Sequence, residues 1–217
     1  MLKEKIAGIK RSIDDVCAEC GIERSGVKIL AATKTVEPSR INLLPDCGIT
    51  LAGENRVSEF VEKRDFVKGI DWHFIGALQT NKVKHVVGKV SLIHSVDRES
   101  LADEIDRLSK KAAIVSDVLI EVNVGEEASK SGVLPVGLDK LCDYCAQKSN
   151  MRVRGLMSVL PKDADERLYE KLYNLYAVRR GGAFDTLSAG MSGDYITAIR
   201  HGANLVRLGS IIFGQRT

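Results

Sequence analysis

The stretch "KILAATKTVEPSRINLL" (28–44) shows the pattern that the rest of the chain repeats: an apolar, strand-like run directly followed by a helical segment. Its first six residues favour a strand, and Pro38 suits the first turn of a helix. Seven further apolar runs occur along the chain, each before helical or turn-like sequence. They are "GITLAG" (48–53), "WHFIGA" (72–77), "SLIHSV" (91–96), "DVLIEVNV" (117–124), "VRGLMSV" (153–159), "AFDTLSAG" (183–190) and "NLVRLGSIIFG" (204–214).

Regular alternation of strands and helices predicts a parallel sheet, because parallel strands need helical crossover connections. Eight such units favour an α/β fold in which a single closed (β/α)8 barrel domain spans residues 1–217. An open, doubly wound sheet is the alternative, since strand counts from one sequence can err by one or two. Residues 2–20 predict an extra helix before the first strand, and Asp97 is placed to cap the helix after the fourth.

The composition is that of an ordinary globular domain: 217 residues, of which 44% are hydrophobic and 28% charged. A net charge of +3 with evenly mixed signs argues against a nucleic-acid-binding protein. The first residues lack the apolar core of a signal peptide, and no run is long enough to span a membrane. Five cysteines without an export signal therefore predict reduced thiols in the cytoplasm. Nothing resembles a dedicated dimer segment, so we expect a monomer.

The chemistry of such a barrel is expected at the carboxyl ends of its strands. Lys34 and Asn55 follow the first two predicted strands, whereas "SAGMSGD" (188–194) and Gly209–Ser210 follow the seventh and eighth. Glycines let backbone approach an anion, and a helix start offers N–H groups without internal partners. Loops after strands seven and eight often bind phosphate in these barrels. The sequence therefore predicts a phosphate site on the same rim as Lys34.

Lys34 has two interpretations, a solvated strand end or a nucleophile at the mouth of the barrel. Burial disfavours a charged ammonium, so an apolar strand end can supply a neutral, nucleophilic amine. An amine opposite a phosphate site suits a phosphorylated carbonyl compound. Two ligands fit this description: a sugar phosphate, as in Schiff-base aldolases, and pyridoxal 5′-phosphate (PLP).

Arg207 is the third feature of this rim. Alternation in "NLVRLG" (204–209) places Leu205, Arg207 and Gly209 on one face of the last strand, which we expect to point inward. A buried arginine stays protonated and needs an acceptor. The ring nitrogen of PLP is one candidate and the carboxylate of Glu121 is another, and the sequence leaves both open. An arginine at the ring nitrogen disfavours its protonation, which makes PLP a poorer electron sink.

Several blocks together resemble the pyridoxal phosphate homeostasis proteins (the YggS/PROSC family). The resemblance covers nearly the whole chain, from about Val27 to Gly214. The blocks, in chain order, are "ILAATKTV", "GEN", "WHFIGALQTNKVK", "IHSVD", "LIEVNVGEEASKSG", "RGLMSV" and "SAGMSGDYITAIRHGANLVRLGSIIFG". That family is similar in fold to the N-terminal barrel of alanine racemase and binds PLP through a lysine.

The resemblance implies a PLP-binding role for individual residues. They are Lys34 (Schiff base), Asn55 (beside the cofactor), Met191 (in the phosphate loop), Ser192, Gly209 and Ser210 (phosphate), and Arg207 (ring nitrogen). Lys130 lies in a family segment but receives no role. Four positions depart from the family pattern: Ala77 for a histidine, Ala189 for a methionine, Gly193 for an acidic residue and Ser210 for a threonine. Ala77 removes a polar rim group, whereas Ser210 keeps its hydroxyl.

The resemblance also implies a carrier of PLP and not a robust enzyme. Racemases of the related fold take a tyrosine base from an additional β domain, and this sequence ends a few residues after its eighth strand. We therefore expect a role in vitamin B6 and amino-acid homeostasis, with PLP-dependent apoenzymes as recipients of the cofactor. A weak racemase or transaminase activity and a sugar-phosphate aldolase are the alternatives.

The cysteine pairs invite a zinc site, because "CAEC" (17–20) and "CDYC" (142–145) have suitable spacings. However, each pair continues an apolar helical stripe, and a buried cysteine behaves as a small hydrophobic residue. We therefore expect packing and no metal.

Overall fold

The computed structural model describes residues 2–214, in which eight strands alternate with helices. The strands are β1 (Lys28–Ala32), β2 (Leu51–Glu54), β3 (Asp71–Phe74), β4 (Leu92–Val96), β5 (Ser116–Glu121), β6 (Met151–Met157), β7 (Thr186–Ser188) and β8 (Leu205–Leu208). The helices are α1 (Leu2–Cys20), α2 (Pro38–Ile41), α3 (Val57–Lys63), α4 (Glu99–Lys111), α5 (Leu138–Ala146), α6 (Glu166–Ala177), α7 (Tyr195–Arg200) and α8 (Ser210–Phe213).

The strands form a closed barrel in which each strand pairs with the next. Every pairing is parallel, and β8 pairs with β1 to close the barrel, with Leu30 opposite Arg207. The predicted (β/α)8 barrel is thus confirmed, and the open doubly wound alternative is wrong. Helix α1 occurs where the sequence predicted it, and its apolar face packs onto α7 and α8.

Some local predictions are wrong at segment ends. Strand β2 begins at Leu51 and not at Gly48, because Gly48 adopts a left-handed conformation that ends a 3-10 turn. The helical or turn-like sequence expected after β3 forms a 3-10 helix, Thr80–His85. Asp97 does not cap α4; its carboxylate pairs with Arg98, and no side chain caps that helix. A local ion pair therefore replaces the cap.

The barrel interior contains a small apolar cluster. Five strands and the residue after β3 contribute its side chains: Leu30, Ile75, Leu92, Leu119, Met157 and Leu205. Two larger clusters pack the strands against the surrounding helices. The fold therefore supports the carboxyl ends of the strands from inside and outside.

The cysteines are all free thiols. Cys17 and Cys145 are buried, as expected from packing, whereas Cys20 is exposed and does not continue the apolar stripe of α1. Across residues 2–214, no three His, Cys, Asp or Glu side chains are grouped so that they could hold a metal ion. A helix with the length and apolar character needed to cross a membrane is also missing from that range.

Gly155 lies where β6 and β7 approach each other closely. Its φ is +146°, and a Cβ atom there would lie 1.8 Å from the carbonyl oxygen of Thr186 in β7. Gly181 has a similar φ of +153°, but a Cβ there would meet nothing within 4 Å. Both Gly→Ala changes place an alanine at a similar, unfavourable φ. Only Gly155→Ala also forces β6 and β7 apart.

We expect Gly155→Ala to lower the free energy of unfolding by about 1–3 kcal/mol more than Gly181→Ala does, the usual cost of overpacking. Urea unfolding of the two variants measures the difference. Equal losses would mean that contact with β7 does not require glycine.

Candidate cofactor site

Lys34 lies in the turn after β1, two residues beyond Ala32, and its side chain is half-buried. Leu30 and Ala32 both face the barrel interior, so the alternation of the strand leads Lys34 to the mouth of the barrel. Within residues 2–214, its Nζ makes no hydrogen bond or ion pair. The Lys34 amine therefore has no hydrogen-bond partner among the described residues. Its side chain is less buried than the apolar sequence of β1 predicted.

Arg207 lies inside the barrel, below this mouth. It is 5% exposed and points inward, as predicted. Its Nη1 donates to Ser188 Oγ and its Nη2 to the carbonyl oxygen of Ser158, both at 2.8 Å. Burial lowers its pKa to about 10, against the raising effect of Glu121 and Asp194, so the guanidinium is a cation at neutral pH.

Two buried histidines extend the hydrogen-bond network of Arg207 through the barrel interior. Ser188 Oγ lies 3.2 Å from His94 Nδ1, and His94 Nε2 lies 2.9 Å from His73 Nδ1. Burial lowers the pKa of His73 to about 4, and burial together with His73 and Arg207 lowers that of His94 well below its ordinary value. Both rings are therefore neutral at physiological pH.

Glu121 ends β5 and is 7% exposed. Its Oε2 is buried and has no hydrogen-bond partner. Burial and the negative charge of Asp97 raise its pKa to about 7, although Arg207 acts in the opposite direction. The predicted alternative, an Arg207–Glu121 ion pair, is wrong for the described residues: the two arginine donors go to neutral oxygens, and Glu121 remains beside them as a carboxyl that is easily protonated.

The loops after β7 and β8 meet at the start of α8. Ser192 Oγ accepts hydrogen bonds from the N–H groups of Gly209 (3.2 Å) and Ile211 (3.3 Å). Ser210 is exposed in the first turn of α8. The structure thus brings together the three residues predicted to bind phosphate at the first turn of α8, where two amide groups already donate to Ser192 Oγ.

Gly190 explains how the phosphate loop turns. Its φ is +89°, and a Cβ there would lie 2.7 Å from Ala198 Cβ and 2.9 Å from Tyr195 Cα. The next residue, Met191, is exposed, and its N–H donates to Asp194 Oδ1 at 2.6 Å. The other carboxylate oxygen of Asp194 accepts from Tyr169. A glycine and a shared aspartate therefore fix the loop that carries Ser192.

The remaining predicted positions lie at the rim or outside it. Asn55 follows β2 and is half-buried, and its carbonyl oxygen approaches Gly76 so closely that a Cβ there would lie 2.0 Å away. Ala77 is exposed beyond β3, and Ala189 is buried. Lys130 pairs with Glu127 Oε1 at 2.9 Å in the loop after β5, so its amine is engaged locally.

A second lysine near Lys34 was missed by the sequence analysis. Lys63, the last residue of α3, is buried and forms ion pairs with Glu54 at 2.8 Å and Glu59 at 2.9 Å. The spacing of Glu59 and Lys63, four residues apart on one helix, was the available signal. Glu54 belongs to the next strand, and its contact could not be read from spacing.

A separate cavity of about 340 Å³ opens at the amino ends of the strands, on the side opposite to Lys34. Its charged lining is mostly paired, because Arg154 bridges Asp117 and Asp185. The chemistry expected of this fold lies at the carboxyl ends of the strands. We therefore assign the candidate site to the Lys34 side.

Comparisons with known proteins show the family of this chain. Residues 19–217 match the family model described as "Alanine racemase, N-terminal domain". The pyridoxal phosphate homeostasis protein of Aquifex aeolicus is 44% identical, over 98% of this chain and 97% of that protein. This chain belongs to the pyridoxal phosphate homeostasis protein family.

Solved structures place this family member among similar barrels. An unknown protein from Bifidobacterium adolescentis is 30% identical, with a TM-score of 0.91 over 98% of this chain and 94% of that one. PipY of Synechococcus elongatus PCC7942, solved with PLP bound, is 25% identical, with a TM-score of 0.83 over 99% of this chain and all of that one. The predicted resemblance to the homeostasis family and to the alanine racemase barrel is confirmed.

The raised pKa of Glu121 predicts a pH-dependent stability of the cofactor-free protein. Its pKa is about 7 when folded against an ordinary 4.5, so the folded protein binds more protons between these pH values. The free energy of unfolding must therefore fall as pH rises through this window and lose this dependence above it. Glu121→Gln removes the effect and should gain about 2–3 kcal/mol relative to the wild type between pH 4.5 and pH 8.

Urea unfolding at the two pH values measures this gain. Glu62→Gln is the control, because Glu62 is exposed on α3 and loses the same charge. If Glu121→Gln followed the wild type at both pH values, Glu121 would be ionised throughout and the buried-carboxyl assignment would be wrong.

Proposed function

We propose that this protein binds PLP reversibly as a Schiff base on Lys34 and acts in PLP and amino-acid homeostasis without robust catalysis. One observation carries the proposal: β8 lies between β7 and β1, so Ser192, Gly209–Ser210 and Lys34 follow three adjacent strands. A Cβ at Gly209 would lie 3.3 Å from the carbonyl oxygen of Ala32, so the phosphate loop directly adjoins the turn that carries Lys34.

The residues present fit the cofactor. When bound, PLP supplies an aldehyde and an electron-accepting pyridine ring. The Lys34 amine would hold the cofactor covalently at its aldehyde. Ser192 and the first amide groups of α8 would hold the phosphate, and Arg207 would donate to the ring nitrogen.

Arg207 supports a carrier more than an enzyme. A guanidinium that stays protonated can only donate, so it holds the ring nitrogen unprotonated and weakens the ring as an electron sink. The relatives are named as homeostasis proteins, which agrees with this reasoning. We infer that catalysis, where it occurs, is a slow side reaction.

The mouth of the site suits exchange with a recipient. Lys34 is half-buried and Met191 and Ser210 are exposed, so the expected cofactor position lies near solvent. We propose PLP-dependent apoenzymes as recipients. A monomeric, cytoplasmic protein stays a prediction from the sequence.

Borohydride reduction after incubation with PLP tests the anchor. We expect a Schiff-base absorption band that is lost on reduction, with the pyridoxyl group mapped by peptide analysis to Lys34. Lys34→Met should abolish the band, because methionine has no amine, whereas Lys68→Met, at an exposed lysine shortly before β3, should keep it.

A pyridoxyl group mapped to another residue, or a colourless protein, would contradict the proposal. A Schiff base that formed at Lys34 only with a sugar phosphate would instead favour the aldolase alternative.

A further inference from the structure

The amine of Lys63 uses all three of its hydrogen-bond donors next to the turn that carries Lys34. It donates to the carbonyl oxygen of Thr33 at 2.9 Å, to Glu54 Oε1 at 2.8 Å and to Glu59 Oε2 at 2.9 Å. An ammonium has three N–H donors, so none is left. The side chain of Glu54 is completely buried, and that of Lys63 is 11% exposed.

This cluster holds the backbone on both sides of Lys34. Before it, two bonds join Thr33 to the cluster: its carbonyl oxygen accepts from Lys63, and its Oγ1 donates to Glu54 Oε1 at 2.8 Å. The turn also has its own closing bond, from the N–H of Val36 to the carbonyl oxygen of Thr33 at 2.9 Å. After it, the N–H of Thr35 donates to Glu59 Oε2 at 2.7 Å. The two glutamates therefore reach the residues that flank Lys34, and Lys63 joins the glutamates to each other.

Thr35 shows that the turn needs such a support. Its φ is +62°, a left-handed conformation that is unfavourable for a β-branched residue. Thr35 is exposed, so packing does not hold it there. Its side-chain hydroxyl bonds only to the carbonyl oxygen of Lys34, which leaves the Glu59 carboxylate as its contact with another element.

The charges of the cluster suit a fixed support. Burial alone would lower the pKa of Lys63, but the two carboxylates raise it above its ordinary value. Burial would raise the pKa of Glu59, but the N–H of Thr35 and the ammonium of Lys63 lower it on balance. Lys63 therefore stays a protonated donor and is not a second nucleophile beside Lys34.

We propose that Glu59 and Lys63 are positioning residues for Lys34: they lock the Thr33–Thr35 turn so that the Lys34 amine, and no other, reaches the aldehyde of the cofactor. The proposal rests on the proposed function of Lys34 as the anchor. It assigns to the α3 cluster a part in the rate of Schiff-base formation, and none in holding the phosphate group.

Glu59→Ala is the main test variant, because it frees Thr35 while leaving the buried Glu54–Lys63 pair intact. Glu62→Ala is the matched control, since Glu62 is exposed on the same helix and its loss changes the charge equally. Glu59→Gln is the conservative variant, which keeps one acceptor oxygen for Thr35. For each purified protein we would measure the rate at which the PLP absorption band appears, the affinity for pyridoxine 5′-phosphate and the thermal midpoint.

Pyridoxine 5′-phosphate has no aldehyde, so it reports phosphate and ring binding without a Schiff base. We expect Glu59→Ala to slow Schiff-base formation by on the order of tenfold, as displacements of a reacting group do, with unchanged pyridoxine 5′-phosphate affinity. Glu62→Ala should match the wild type, and Glu59→Gln should recover most of the rate.

Equal rates for Glu59→Ala and Glu62→Ala would overturn the proposal. A parallel loss of rate, of pyridoxine 5′-phosphate affinity and of thermal midpoint would also overturn it, because the cluster would then only stabilise the fold. Should Glu59→Ala fail to fold, the double variant Glu59→Ala/Thr35→Gly decides, because glycine adopts the positive φ of position 35 without strain. A normal thermal midpoint with an unchanged rate would contradict positioning, and a lowered rate would support it. Failure of the anchor itself is distinguishable, since the wild-type protein would then carry no pyridoxyl group on Lys34.

Discussion

The buried guanidinium of Arg207 constrains the polar groups inside the barrel. Removing a cation from water is costly unless polar groups surround it, and Ser188 Oγ and the carbonyl oxygen of Ser158 do so here. Arginine cannot accept a hydrogen bond, so Ser188 Oγ accepts from it. The serine hydroxyl can then either donate to His94 Nδ1 or accept from it, and the tautomers of His94 and His73 set the direction of the remaining bonds.

The charge of Arg207 also affects the protonation of the other groups at the mouth of the barrel. This positive charge moderates, but does not cancel, the effect of burial on Glu121, which leaves a carboxyl of raised pKa beside Arg207. At the cofactor position proposed above, the same charge would favour an unprotonated ring nitrogen. A free amine and a loop for phosphate, next to a cation that can only donate, would suit holding PLP more than activating it. The proposed carrier role thus depends on a single charged residue.

The sequence was sufficient for the architecture because the signals of a parallel barrel are local. Each apolar run precedes a helical or turn-like segment, and alternation within β8 predicted that Arg207 points inward. The errors occurred where a local pattern has two solutions. Gly48 continues an apolar run but adopts a left-handed turn, and Asp97 stands next to the start of α4 but pairs with Arg98.

The support of Lys34 could not be predicted because it depends on contacts between distant residues. Glu59 and Lys63 have the spacing of an ordinary helix-surface pair, and nothing in that spacing shows that both are directed at the turn after β1. Likewise, Glu121 was a reasonable partner for Arg207, yet the arginine donors go to Ser188 and Ser158. Closure of the barrel decides these pairings, and closure is a property of all eight strands together.

The protonation state of the ring nitrogen tests the central claim most directly. PLP labelled with ¹⁵N in the ring, bound to the wild-type protein at neutral pH, reports this state through its nitrogen chemical shift. The account predicts the shift of an unprotonated pyridine nitrogen that accepts a hydrogen bond, moving when Arg207 is replaced by glutamine. A pyridinium shift in the wild-type protein would contradict the account, because Arg207 would then not be the partner of the ring nitrogen.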